Sequence, residues 1–260
     1  MSIPEHDPDV WLFDLDNTLY PARCNLFAQI DVRIGRYISD WLKVTPEEAR
    51  VVQKQYWKDH GTSMRGMMSL HGVDPKHYLD YVHDIDYSPV PPAPELDKAL
   101  AALPGRKLIF TAGDVPHAQK VMERLGVAHH FEAVFDIVAG EYWPKPHQRI
   151  YDKLVRTHGV DPARAAMADD IAVNLKPAAD MGMRTVWVRP PVRFTAVRPK
   201  VTGLPLALSL LLAACGGGSD NTPAAEQRTA SAMKRMGGAS ASEPEVALTP
   251  VAATSSGSER

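Results

Sequence analysis

Val10-Trp-Leu-Phe-Asp14-Leu-Asp-Asn-Thr18 opens on an apolar run and closes on two acids in a polar loop. A short unbroken apolar run bounded by loop residues is the pattern of a strand buried on both faces. Lys107-Leu-Ile-Phe-Thr111, Ala133-Val-Phe-Asp136, Ala165-Ala-Met-Ala-Asp169 and Arg184-Thr-Val-Trp-Val188 repeat it. Helical patterns fall between them at Val115–Leu125 (behind Asp114 and Pro116), 146–158 and 172–181, with Gly126, Gly159 and Gly182 where helices stop. Strands alternating with helices predict an α/β fold, a parallel sheet covered by helices on both faces. In such sheets a site forms beyond the carboxyl ends of the strands.

The stretch after Tyr20 breaks the alternation. Helical patterns occupy Leu26–Leu42, Pro46–His60 and Pro75–Val82 with no strand among them, between Pro21 and the stiff Pro89-Val-Pro-Pro-Ala-Pro94. The expected organisation is a core of residues 7–20 and 95–194, interrupted by an all-helical insertion over 21–94.

The remaining segment, 195–260, reads differently. No Phe, Tyr or Trp follows Phe194, and Gly, Ser, Ala, Thr and Pro dominate 216–260, a composition that predicts disorder. An apolar run over 201–214 ends in Leu212-Ala-Ala-Cys215 and resembles a bacterial lipoprotein signal. It is short for a membrane span and lies far from the N-terminus, so the expectation is a non-functional stub outside the fold. A membrane-tethered, non-catalytic lipoprotein anchored through Cys215 is the competing reading from a different class.

The whole chain of 260 residues is long enough for a sizeable core, and its net charge of -2 gives no basic excess for nucleic acid. Two cysteines, Cys24 and Cys215, make no disulfide framework, and residues 1–10 are polar. The core is therefore expected to be cytoplasmic, with neither nucleic acid nor membrane as partner. Cys24 is expected to be a small packed residue. His129 and His130 are expected to lie on a surface loop, because adjacent histidines point apart and no third metal ligand is evident.

Strand ends concentrate the chemistry. Alternation would turn Asp14 and Asp16 to one side, where two carboxylates repel unless a cation or shared proton relieves them. Thr111 ends another strand, Lys145 precedes a helix in Trp143-Pro-Lys-Pro146, and Asp169-Asp170 end a later strand. Four carboxylates, a lysine and a hydroxyl suit a hard divalent cation together with a phosphate.

Asp14-Leu-Asp-Asn-Thr-Leu-Tyr20, Phe110-Thr-Ala-Gly-Asp114, Trp143-Pro-Lys-Pro146 and Ala168-Asp-Asp170 resemble the four ordered motifs of the haloacid dehalogenase superfamily. Leu19-Tyr-Pro-Ala-Arg-Cys-Asn-Leu-Phe27, Tyr81-Val-His-Asp-Ile-Asp-Tyr87 and Gly113-Asp-Val-Pro-His117 are similar to its pyrimidine 5′-nucleotidase branch. The resemblance spans roughly 7–191 and implies a Rossmann-like core with the helical insertion as a cap. It implies that Asp14 is a nucleophile forming an aspartyl-phosphate and that Asp16 protonates the leaving oxygen, then activates water. Thr111 and the Ala112 N–H would hold phosphoryl oxygens, and Lys145 would neutralise charge on nucleophile and phosphate. Mg²⁺ would be held by Asp14, the Asp16 carbonyl and Asp169, with Asp170 as a direct or water-mediated ligand. Asn174 would brace the acidic loop. Ala112 and Ile171 depart from the residues common at their positions, without touching the implied chemistry.

The implied activity is Mg²⁺-dependent hydrolysis of a small phosphorylated metabolite, a pyrimidine nucleoside 5′-monophosphate. The alternatives are another substrate, such as a sugar phosphate, or a phosphomutase. In the cap, His60 and Arg65 flank a stretch that reads either as a substrate-contacting loop or as a plain helix–helix turn around Gly61.

Overall fold

A computed structural model describes residues 7–189. The tail 195–260 and Cys215 lie outside the described residues. Five parallel strands, β1 (Val10–Phe13), β2 (Arg106–Phe110), β3 (Ala133–Phe135), β4 (Ala165–Asp169) and β5 (Arg184–Trp187), form one sheet in the order β3-β2-β1-β4-β5. Chain order runs outward from β1 to β3, then returns across it to β4. The point where the order reverses therefore lies between β1 and β4, and Asp14 and Asp169 stand at its two lips.

The side-chain alternation of β1 divides the core. Trp11 and Phe13 face one apolar cluster with Ile109, Leu96 and Leu100 of α5 (Pro94–Ala102), and Val121 and Leu125 of α6 (Val115–Leu125). Val10 and Leu12 face the other, with Ile150 and Leu154 of α7 (Gln148–His158) and Leu175 and Ala178 of α8 (Ala172–Asp180). Both faces are covered, as continuous apolar strands require. Leu12 and Phe13 are wholly buried, and truncating either to Ala would cost about 3–5 kcal/mol.

The insertion comprises α1 (Leu26–Leu42), α2 (Pro46–His60), α3 (Ser63–His71) and α4 (Pro75–Val82), packed around Ile30, Ile38, Met64, Met67 and Leu79. A capping box between Thr45 and Glu48 starts α2. Helices α3 and α5 escaped the sequence reading. Gly66 sits inside α3, where propensity argues against a helix, but Tyr56 of α2 fills its flank so closely that a Cβ there would lie 2.5 Å from Tyr56 Cβ. Pro94, read as the end of a linker, is the first residue of α5, a position where its missing N–H is harmless. The stretch from His60 to Arg65 is turn and helix together: Gly61 closes α2 at φ 80°, and Thr62 caps α3 by accepting from Arg65 N at 3.1 Å.

No helix among the described residues is long and apolar enough to cross a membrane. Cys24 is buried, and burial raises its thiol pKa, in keeping with a packed residue. The histidine expectation needs correcting. The rings of His129 and His130 lie 4.0 Å apart, and their Nε2 atoms stand 3.2 and 2.7 Å from the same Asp97 Oδ1. The short helical turn Ala128–His130 overrides the divergence expected of neighbours on an extended chain. Asp97 is thus a third potential ligand that α5 supplies, here in ion-pair contact with both histidines.

Candidate active site

β1 stops at Phe13, one residue earlier than the alternation argument assumed, so Asp14 and Asp16 do not share a strand face. The Asp14 N–H still bonds Ala168 O of β4 at 2.9 Å, which holds the residue at the sheet's rim. The chain then turns at Asn17, whose φ of 63° suits asparagine better than a branched residue. That turn returns Thr18, whose Oγ1 donates to Asp14 Oδ2 at 2.8 Å and accepts from Asp170 N at 3.0 Å. The loops after β1 and β4 are stitched together through one hydroxyl.

Lys145 enters from the loop before α7. Its Nζ donates to Asp14 Oδ1 at 2.7 Å, Asp169 Oδ2 at 2.7 Å and Phe110 O at 3.0 Å. All three ammonium protons are used. Asp169 is wholly buried and also accepts from Ile171 N at 2.8 Å, while Asn174 Nδ2 reaches its two oxygens at 3.1 and 3.2 Å. Asn174 is itself tied down, its carbonyl accepting from Tyr151 OH at 2.6 Å.

Burial pushes the Asp14 carboxyl up to about 7, with Lys145 opposing and Asp169 adding to the rise. Burial and the Asp169 charge push Asp170 up to about 6. Burial also disfavours the Lys145 ammonium, but Asp14 and Asp169 outweigh it and raise its pKa. Asp14, Asp169 and Asp170 offer oxygens within 4.8 Å of one another. Three carboxylates against one ammonium leave surplus negative charge and an all-oxygen donor set, which fits a hard divalent cation such as Mg²⁺.

Asp16 keeps different company. Its Oδ1 accepts from Tyr20 OH at 2.5 Å and lies 2.8 Å from Nε2 of His117, a fully buried side chain. Burial alone would raise the Asp16 pKa, but the His117 charge and the two hydrogen bonds outweigh it and lower the pKa. For His117 burial pulls downward, and Asp16 prevails and raises it. The His117 ring stacks on His83, with centroids 4.5 Å apart. His83 Nδ1 lies 2.9 Å from Asp114 Oδ1, at ion-pair distance but without hydrogen-bond geometry. The resemblance gave Tyr20, His83, Tyr87 and His117 no role, although all four lie within the quoted strings.

Thr111 is buried at the end of β2, its Oγ1 accepting from Gly113 N at 3.0 Å, and Ala112 beside it is exposed. In the insertion, His60 packs edge-on against Tyr56 at 6.0 Å. The Arg65 guanidinium lies 3.6 Å from the Trp143 ring centroid, and its Nη1 donates to Tyr142 O at 3.4 Å. A Cβ at Gly61 would stand 3.0 Å from Pro144 Cγ. The helical insertion therefore touches the core at Trp143-Pro144, directly before Lys145.

The family model of haloacid dehalogenase-like hydrolases matches residues 8–182. The "Phosphate metabolism protein 8" of Saccharomyces cerevisiae is 25% identical over 201 residues, covering 70% of this chain and 62% of that protein. The chain thus spans less than two thirds of that relative's length. Among solved structures, a HAD phosphatase from Thermococcus onnurineus aligns with TM-score 0.48 and 19% identity over 70% of this chain and 86% of that one. The UTR4 protein of Saccharomyces cerevisiae aligns with TM-score 0.47 and 16% identity over 74% and 94%. With the motif residues gathered at the rim of the sheet and two thirds of the sequence matched, the chain belongs to the haloacid dehalogenase-like hydrolases.

Proposed function

We propose that this chain is a divalent-cation-dependent phosphomonoester hydrolase that passes through an aspartyl-phosphate on Asp14, and that its substrate is a pyrimidine nucleoside 5′-monophosphate. The observation that carries the reading is the division of labour between two nearby carboxylates. Asp14 is held by Lys145 beside Asp169, while Asp16 is held apart by Tyr20 and His117. Asp14 sits beside an ammonium that offsets its charge for attack, and Asp16, which its two donors hold as a carboxylate, takes up the proton it delivers when the negative phosphoryl group binds beside it.

An Asp14 oxygen attacks phosphorus as the bond to the ester oxygen breaks, and Asp16 delivers a proton to that leaving oxygen. Water then attacks the aspartyl-phosphate, Asp16 takes the water's proton, and phosphate leaves with Asp14 restored. Lys145 offsets charge on the nucleophile throughout, and Thr111 with the Ala112 N–H holds phosphoryl oxygens. Asp14, Asp169, Asp170 and the Asp16 carbonyl would hold Mg²⁺, which when bound neutralises phosphate charge. The helical insertion acts as a cap, with His60 and Arg65 at its edge toward the lysine loop.

The name of the yeast relative, a phosphate metabolism protein, agrees with phosphoryl chemistry. The nucleotide preference is supported by the strings 19–27, 81–87 and 113–117, which meet around Asp16 through Tyr20, Tyr87 and His117. A panel of nucleoside monophosphates, sugar phosphates and other phosphomonoesters tests it by phosphate release. Pyrimidine 5′-monophosphates should give the highest kcat/KM. A sugar phosphate ahead of them would replace the substrate, and transfer to a second substrate hydroxyl would make the enzyme a mutase.

A further inference from the structure

Asp16 lies beyond the end of β1, in a loop that turns at Asn17, so the sheet does not fix its carboxyl. Both of its close donors, Tyr20 OH and His117 Nε2, take the same oxygen, Oδ1. A protonated carboxyl carries its hydrogen on one oxygen while the other accepts. Two donors on Oδ1 therefore leave the exchangeable proton to Oδ2 and set the plane of the group.

The ring that supplies the second donor has little freedom. His117 is completely buried in the first turn of α6, and its own N–H donates at 3.0 Å to the capping Asp114. One face stacks on His83 at an interplanar angle of 20°. Nδ1 lies 3.0 Å from the Tyr87 hydroxyl, which also donates to His83 O at 2.9 Å. Gly113 presses on the edge, where a Cβ would approach within 2.8 Å of His117 Cδ2. Since the Asp16 carboxylate can only accept, Nε2 is the donor, and Tyr87 occupies the opposite nitrogen. A buried histidine used only for packing would need no such aim at a catalytic carboxyl.

We infer that His117, fixed by Tyr87 and His83, is a positioning residue that holds Asp16 Oδ1 so that Oδ2 exchanges the proton with the leaving oxygen. The inference rests on the phosphomonoester hydrolase reading with Asp16 as general acid. Misplacing a proton donor hurts only esters whose leaving group needs the proton. An alkoxide needs it; p-nitrophenolate does not.

The test compares kcat/KM, which reports steps up to formation of the aspartyl-phosphate, on p-nitrophenyl phosphate and on glycerol phosphate. Wild type, Asp16→Asn, His117→Ala, His117→Gln and Tyr87→Phe are measured, with folding checked by circular dichroism. In His117→Ala the glycerol phosphate value should fall about 10- to 100-fold further than the p-nitrophenyl phosphate value. Asp16→Asn should show the same bias more strongly. His117→Gln, whose amide can donate near the place of Nε2, should recover part of the loss. Tyr87→Phe, which keeps the histidine and removes its brace, should show a smaller bias of the same sign and serves if His117→Ala does not fold. Equal losses on both esters in folded His117 and Tyr87 variants, with the bias intact in Asp16→Asn, would overturn the positioning role alone. A wild type that releases phosphate from none of the nucleotides, sugar phosphates or these two esters, or an Asp16→Asn without bias, would overturn the reading beneath it.

Discussion

Lys145 and Asp14 are 131 residues apart in sequence, yet Nζ and Oδ1 lie 2.7 Å apart at the rim of the sheet. The same Nζ is 2.7 Å from Asp169 Oδ2, and the lysine side chain is only 4% exposed. Lys145→Met would leave two buried carboxylates facing each other without a cation. Breaking a buried ion pair by removing one partner costs about 3–5 kcal/mol. Denaturant unfolding at pH 7 should show a loss of that order, with part regained at pH 5 where the carboxyls can protonate. Phosphate release should drop on the order of 100-fold or more.

Asp14 and Asp170 are raised from 3.8 to about 7 and about 6. A carboxyl whose folded pKa is raised holds protons that the unfolded chain has already lost. It costs nothing below pH 3.8, and its penalty grows as pH climbs through the folded value. His117, also raised, gives a contribution that is present below its unfolded value and lost as pH rises. The metal-free protein should therefore lose stability between pH 4 and pH 8. Magnesium binds the ionised carboxylates, so it should raise the melting temperature more at pH 8 than at pH 5; at roughly 100 times Kd it stabilises the fold by about 2.7 kcal/mol. Identical melting curves at pH 8 with magnesium and after chelation would contradict this.

Arg65 links the helical insertion to the loop that carries Lys145, stacking on Trp143 and bonding Tyr142 O. Its Nε is buried without a hydrogen-bond partner, so the stack is its main attachment. Arg65→Ala should cost about 1 kcal/mol in stability. It should also lower kcat/KM about 10-fold, because a small shift of Lys145 misaligns the nucleophile. Thermal unfolding and steady-state kinetics on the same preparation check both.

Gly66 has no room for a side chain against Tyr56. Gly66→Ala, which helix propensity alone would favour, should instead destabilise by about 1–3 kcal/mol, read by urea unfolding. Combining it with Tyr56→Ala should relieve little of the loss, because alanine keeps the Cβ that stands 2.5 Å away.

Much of this architecture was legible because strand and helix periods differ. The five strands and α1, α2, α4 and α6 were readable within a residue or so, since each shows an apolar run or an amphipathic stripe with a capping residue such as Thr45 or Asp114. What stayed hidden depends on tertiary contacts. Gly66 is helical because Tyr56 covers it, and Pro94 begins a helix although the prolines before it suggested a linker. Strand alternation put Asp14 and Asp16 on one side, but the strand ends at Phe13, so Asp16 is placed by the loop that turns at Asn17. Asp14, Lys145 and Asp169 could be picked out because motif residues at strand ends converge in any parallel sheet. His117 could not be given a role, because a histidine in the first turn of a helix carries no mark of what its ring will meet. Neighbouring histidines diverge on an extended chain, whereas the single helical turn Ala128–His130 aims both at Asp97.

In the proposed reaction Asp14 carries the phosphoryl group. Rapid mixing with a good substrate, acid quench and peptide mass spectrometry should find one phosphoryl group on the peptide containing Asp14. Asp14→Asn should fold, bind magnesium weakly, show no such adduct and release no phosphate. Phosphate release at near-normal rate by Asp14→Asn, or a phosphoryl group trapped on another residue, would contradict it.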